Sequence, residues 1–232
     1  MAKGAPVPSS FFDAIGMKYE EAFGHDHGLI DFVKLALDTI PTKQEKSLVL
    51  DIGCGTGKPV ASMIAASGRK VHGIDNSSIM VALSRKQVPE GTFEEISMLD
   101  YQPPASVSFD SVFAMFCFFN LGGDLVGPLM NKINEWTVSN GYLFIGTMVA
   151  DDFDGESVQD SEDQFGGRHV VTRFMGQDAA TLVYSKEGWA SMLLQAGFEI
   201  LHSKTVPFQA PAEADCGLEQ HHYIVARKIR SK

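Results

Sequence analysis

The chain has little cysteine and little positive charge. Three cysteines, Cys54, Cys117 and Cys216, stand in 232 residues with no Cys-x-x-Cys spacing. That excludes a disulfide scaffold and a zinc ribbon and points to a reducing, cytoplasmic setting. Lys and Arg number 19 against 29 Asp and Glu, a formal charge of −10. A nucleic-acid partner needs a basic surface for its phosphates, so none is expected. No apolar run reaches the ~18 residues that a membrane-spanning helix requires, and Met1 to Ser10 lack the apolar core of a signal peptide. The sequence that comes nearest to a metal pair, His25-Asp26-His27, has an i, i+2 spacing and no third ligand, so no metal is expected. Internal repeats and long linkers are also missing. What is present, 44% hydrophobic residues, suffices to bury the core of a single domain over residues 1–232.

The chemistry is concentrated in Val49-Leu50-Asp51-Ile52-Gly53-Cys54-Gly55-Thr56-Gly57-Lys58-Pro59. An apolar strand runs from Leu48 to Ile52, three glycines alternate through a tight turn, and Pro59 opens a helix, where its missing N–H would be unpaired anyway. The glycines allow unusual dihedrals and leave room for a ligand against the backbone. Free N–H groups at the helix start favour a negatively charged ligand group. A dinucleotide fingerprint would place a further glycine where Lys58 stands. Twenty residues after Gly55, Asp75 ends a second short strand begun at Lys70, where it can accept hydrogen bonds from both hydroxyls of a ribose. Asn76-Ser77-Ser78 is an N-cap cluster for a helix from Ile79 to Gln87. Further strands are expected near Phe93 to Met98, from Phe109-Asp110 through Phe119, and from Tyr142 to Met148 after a Ser139-Asn140-Gly141 turn.

The Asp-x-Gly-x-Gly-x-Gly pattern at 51–57, followed in order by Asp75, Asp100 and the run Met115 to Asn120, resembles the class I S-adenosylmethionine (SAM)-dependent methyltransferases. The likeness covers roughly residues 10 to 228 and is greatest to ubiquinone-biosynthesis-type and other small-molecule enzymes. It implies an α/β fold: a doubly wound, seven-stranded, mostly parallel sheet with an antiparallel C-terminal strand and an N-terminal helical lid. It also implies SAM as cofactor. Carried onto matching positions, it gives Asp51, Gly53, Gly55 and Gly57 to the methionine end, Asp75 and Asn76 to the ribose, and Leu99 and Asp100 to the adenine. Met115 and Phe116 would wall the methyl-donating end, and Tyr19 would close over the cofactor. Two departures stand out. Many relatives carry a histidine where this chain has Phe119-Asn120, and Ser139-Asn140-Gly141-Tyr142 replaces the usual Pro-Gly-Gly. No Asn-Pro-Pro-Tyr-like sequence follows the fourth strand, which argues against amide and base methylases.

The chain divides into a lid (1–46), a SAM-binding core (47–150), a substrate-side insert (151–185) and a C-terminal part (186–232). The lid holds helices from Phe11 to Phe23, capped by Ser9-Ser10, and from Gly28 to Ile40. The C-terminal part holds a helix from Lys186 to Ala196 and an antiparallel pair of strands, Glu199 to Pro207 and His221 to Lys228. The insert opens with seven acids (Asp151, Asp152, Asp154, Glu156, Asp160, Glu162, Asp163) and turns basic and aromatic. A solvated loop explains the acids more readily than a site for a cationic amine. Arg168, His169, Arg173 and Tyr184, with Phe119, are the candidate acceptor-binding residues, the arginines suiting a carboxylate or phenolate. His25 and His27 are the candidate general bases, since a base works best with a pKa near the operating pH. His221 and His222 alternate faces of a strand and read as structural. Sixteen phenylalanines and the apolar fourth strand suggest a small, mostly apolar methyl acceptor. The expected activity is SAM-dependent methylation of an O, N, S or C atom of such a molecule. Two alternatives keep the cofactor without methylation: an isomerase or cyclase steered by its charge, and a catalytically silent SAM-binding subunit.

Overall fold

The computed structural model describes residues 7–41, 47–153, 158–160 and 163–229. Three helices come first: α1 (Ser9–Ile15), α2 (Met17–Phe23) and α3 (His27–Thr39). The single helix expected from Phe11 to Phe23 is broken at Gly16, whose φ of 47° lies in the left-handed region. Ser9 and Ser10 lie inside α1 instead of capping it, and Pro8 is the N-cap. α3 buries Leu29, Phe32, Val33 and Ala36, an i, i+3, i+4, i+7 stripe facing the sheet.

Strand and helix then alternate: β1 (Leu48–Ile52), α4 (Val60–Ala66), β2 (Lys70–Asp75), α5 (Ser78–Gln87), β3 (Thr92–Glu95), β4 (Phe109–Met115), α6 (Gly123–Trp136) and β5 (Thr137–Thr147). The insert holds β6 (Val158–Asp160), β7 (Arg168–Phe174) and β8 (Gln177–Val183). The chain closes with α7 (Lys186–Gln195), β9 (Phe198–Gln209) and β10 (Leu218–Lys228). The main sheet has the order β3-β2-β1-β4-β5-β10-β9. It is parallel from β3 to β5 and antiparallel where β10 pairs with β5 and β9, the doubly wound architecture expected. Chain order reverses between β1 and β4, so the crossovers leave in opposite directions and a crevice opens at the strand carboxyl ends. Alternate residues of the central strands face opposite layers. Leu50, Val112 and Ile145 pack in one core with Leu129, Ile133 and Leu193 of α6 and α7. Val49, Phe113 and Phe144 pack in another with Phe32, Val33 and Ile64 of α3 and α4.

Several boundaries differ from expectation for local reasons. β3 ends at Glu95, not Met98, because its partner β2 ends at Asp75; Ser97 Oγ then accepts from the Leu99 N–H at 3.2 Å and turns the chain. β4 stops at Met115, not Phe119, because Phe116 takes a φ of 54° and its N–H bonds the Gly146 carbonyl at 2.7 Å. β5 starts at Thr137, and Ser139-Asn140-Gly141 lies within it as a bulge, with Asn140 at φ 60° and a register shift between Phe109 and Ser111. The insert, which has no element in the sequence reading, is a three-stranded antiparallel sheet, β6-β7-β8. Its β7–β8 turn is Met175-Gly176, both at positive φ (46° and 86°), as a two-residue hairpin demands. Among the described residues no helix is long and apolar enough to cross a membrane.

Candidate active site

The crevice at the ends of β1 and β4 holds a two-lobed cleft. Its floor is the glycine turn. Gly53 (φ 67°) passes so close to the segment after β4 that a Cβ there would meet the Cys117 Cβ at 2.5 Å. Gly55 (φ 53°) faces the cleft beneath the Tyr19 ring. Gly57 instead packs toward Ser84 and Val88 and is not part of the lining. The first lobe is bounded by Asp75, Asn76, Ile96, Ser97 and Met98, with Tyr19, Met115 and Phe116 shared with the second lobe. Asp75 braces the floor: Oδ2 accepts the Gly55 N–H at 3.0 Å and Oδ1 accepts the Ser77 N–H at 2.9 Å. Burial pushes its pKa up, and these bonds offset that only in part. The expected adenine contacts fall slightly off position, because β3 ends early. Leu99 turns away, its carbonyl taking the Lys132 ammonium at 2.8 Å, and Asp100 is exposed, so neither lines the cleft.

Asp51 lines the second lobe beside Gly53, 1% exposed. Burial, then the charge of Asp75, pushes its pKa up to about 8. Its Oδ2 has no hydrogen-bond partner, and of the four described side-chain atoms in that condition it alone lies on the cleft. A buried polar atom left unpaired costs free energy, so a partner brought to this oxygen would be favoured. The lid is fastened over the floor by hydrogen bonds. Glu20 Oε2 accepts from Thr56 Oγ1 (2.8 Å) and Gln87 Nε2 (2.7 Å), and Asp13 Oδ1 accepts from Ser77 Oγ (2.7 Å). Tyr19 thus hangs over the junction. Burial, then the fields of Glu219 and Asp75, raises its pKa and keeps its hydroxyl neutral.

The second lobe is walled by Phe23, Phe119, Met148, Thr172, Phe174 and Thr181. The insert lines it by strand alternation: Thr172 and Phe174 on β7 with Ala179 and Thr181 on β8 face inward. Arg173, between two inward residues, faces out and bonds Asp215 (3.1 Å from Nε) and Asp178 (3.3 Å). Arg168 and His169 are exposed, and Tyr184 is buried with its hydroxyl donating to the Gly123 carbonyl at 3.2 Å. None of these four lines the cleft; of the expected acceptor residues, Phe119 does. His25 and His27 are exposed and lie outside it, which corrects their reading as bases. Helix α3 begins at His27, and it is Asp26 between them that turns inward, 3% exposed. Nor do Asp151, Asp152 and Asp163 line the cleft: Asp151 accepts the Lys186 N–H, and Asp163 those of Phe165 and Gly167. Asp154, Glu156, Glu162 and the side chain of Asp160 lie outside the described residues.

A family model described as a methyltransferase domain matches residues 49–141, the span from β1 into β5 that carries Asp51, the glycine turn and Asp75. Residues 49–141 match a methyltransferase domain, and the fold is that of class I SAM-dependent methyltransferases. An uncharacterized methyltransferase from Bacillus cytotoxicus is 28% identical over 144 residues, 61% of this chain and 63% of that protein, so the match spans less than two thirds of the relative's length. The structure of Burkholderia thailandensis 1,6-didemethyltoxoflavin-N1-methyltransferase, with bound 1,6-didemethyltoxoflavin and S-adenosylhomocysteine (SAH), is similar with a TM-score of 0.67 at 16% identity. That similarity covers 96% of this chain and 87% of the neighbour. The [4+2]-cyclase SpnF is similar with a TM-score of 0.67 at 16% identity over 98% of both chains. At these identities the two structures establish the shared fold.

SAM or SAH is bound in solved structures of similar fold, and the residues present fit SAM. The unpartnered Asp51 oxygen suits an ammonium group, the first-lobe Asp75 can accept from hydroxyls, and Ile96 and Met98 offer an apolar shelf to a flat base. The sequence reading missed the polar group of the second lobe. His221, 2% exposed, has Nδ1 2.7 Å from Asp26 Oδ2 and Nε2 2.7 Å from Glu219 Oε2, and Tyr223 donates to the same Asp26 oxygen at 2.8 Å. Glu219, His221 and Tyr223 share one face of β10 by their i, i+2 spacing, a signal present in the sequence. Their partner Asp26, 195 residues away, is brought to them by tertiary folding alone.

Proposed function

We propose that this protein is a methyltransferase that transfers the methyl group of SAM to a small, largely apolar molecule held in the second lobe. One observation carries the reading: Tyr19, Gly53, Gly55, Met115 and Phe116 line both lobes, so a cofactor filling the first lobe would end where the aromatic lobe begins. SAM supplies a methyl group already activated by a sulfonium. The protein then has to set a nucleophile in line with that carbon and keep water out. Phe12, Phe23 and Phe174 form the roof that does so, with ring centroids 6.3 Å (Phe12–Phe174) and 5.7 Å (Phe23–Phe174) apart. Lid and insert meet in that contact, which couples cofactor coverage to acceptor enclosure. A SAM-assisted cyclisation without methyl transfer is the second reading, supported by the fold likeness to SpnF; products that gain no methyl mass would select it.

Calorimetry with SAM and SAH tests the proposal. Binding in the micromolar range is expected for the wild type. It should be lost in Gly55→Arg, whose side chain would enter the cleft from the floor, with circular dichroism confirming that the variant is folded. Absence of wild-type binding to both ligands would withdraw the proposal.

A further inference from the structure

The second lobe carries charge that an apolar acceptor does not need. Asp26 and His221 line it although 3% and 2% exposed, and Glu219 lines it beside them. Each ring nitrogen of His221 lies 2.7 Å from a carboxylate oxygen. Carboxylates only accept, so the ring donates from both nitrogens and is an imidazolium. Burial alone would pull the His221 pKa down, but the bonds to Asp26 and Glu219 outweigh it and the shift is upward. Burial would likewise raise Asp26, but His221 and Tyr223 hold it below the usual carboxylate range. One imidazolium between two carboxylates leaves a net charge of −1. The other charged groups on the lobe do not cancel it: Lys58 lies 3.9 Å from Glu20, and Asp51 is mostly protonated at neutral pH.

The surroundings of this triad are aromatic. The His221 ring lies 4.3 Å from Phe116 and 4.8 Å from Phe208, centroid to centroid, and Phe208 packs on Phe23 at 5.6 Å. Ring faces attract cations, and buried net charge is costly until it is paired. Asp26 spends its inward oxygen on His221 and Tyr223. Glu219 uses Oε2 for His221, and its Oε1 has no hydrogen bond among the described residues.

We propose that the acceptor is a small amine with an apolar body, bound as its ammonium against Glu219, which takes its proton. This rests on the methyltransferase reading and names the substrate class of the same site. The ammonium gives one N–H proton to Glu219 Oε1, leaving a neutral amine and a carboxylic acid. The nitrogen lone pair then forms the bond to the methyl carbon as the C–S bond breaks, and sulfur keeps that electron pair. The positive charge passes to the methylated nitrogen, and Glu219 later loses its proton to water. His221 and Asp26 are positioning residues: they fix the Glu219 carboxylate through Nε2 and touch no reacting atom.

Three shape-matched probes test this on the full chain loaded with SAH: 2-phenylethylamine, 2-phenylethanol and phenylacetate, measured by calorimetry at neutral pH. The amine should bind about tenfold or more tighter than the other two. Glu219→Gln should bind SAH within about twofold of wild type yet lose that preference. Equal or tighter binding of the alcohol or the carboxylate overturns the proposal. So does failure of the amine to bind, or a preference that survives in Glu219→Gln. If the variant does not fold, the wild-type ranking decides alone. A failure of the methyltransferase reading is seen separately, as failure of SAH itself to bind before any probe is added.

Discussion

In the proposed cofactor site, Asp51 would link binding to a proton. Its carboxyl has a pKa of about 8 and an unpartnered oxygen, so at neutral pH it is mostly protonated. An ammonium brought beside it favours the carboxylate, and the proton leaves. SAM binding at pH 7 should therefore release up to about one proton, read by calorimetry in buffers of different ionisation heat. Asp51→Asn should bind with no such release; equal heats across buffers in the wild type would remove the linkage. The importance of Asp51 is legible in the sequence, since an acid inside an apolar strand end before a glycine turn has few structural uses. Its missing partner is not, because that depends on every neighbour that fails to reach it.

At the scale of elements, the β7–β8 hairpin separates residues that the sequence groups together. Thr172 and Phe174 face the second lobe while Arg173 faces Asp215 and Asp178, since successive side chains on a strand point to opposite faces. Phe174→Ala opens the roof where lid and insert meet, and should weaken acceptor binding by about 1–3 kcal/mol while changing SAH affinity much less. Arg173→Ala removes only an exposed pair and should change acceptor affinity less than about twofold. Titrations of both variants check this, and a tenfold acceptor loss in Arg173→Ala would return that arginine to the site. The alternation Val170, Thr172, Phe174 is legible in the sequence, but which face of the strand lines the lobe depends on how the hairpin packs against the lid.

Across the whole molecule, buried titrating groups set how stability depends on pH. Folded Asp51 holds its proton up to about 8, whereas its unfolded form loses it near 3.8; folding through that range binds a proton, and stability falls as pH rises. His221, raised above 6.5, acts in the same direction: its contribution is present below 6.5 and is lost as pH passes its folded value. Asp26, lowered below 3.8, contributes above 3.8 and loses that as pH falls through its folded value. His222, pulled down to about 4 by burial, opposes this only below 6.5, so thermal unfolding of the ligand-free chain should give a higher Tm at pH 6.5 than at pH 8.5, and a Tm that rises across that interval would contradict the burial of Asp51 and His221. The sequence alone determined the doubly wound sheet, the glycine floor and the acid beside it, because those follow from local rules: apolar runs make parallel strands, glycine permits the turn, and an acid one strand later lies on the same edge. Only the tertiary structure decided which charges face the second lobe. His25 and His27 point to water while Asp26 between them joins His221 and Glu219 from the far end of the chain. Such a group exists only when distant segments are packed together and must satisfy one another's buried hydrogen bonds.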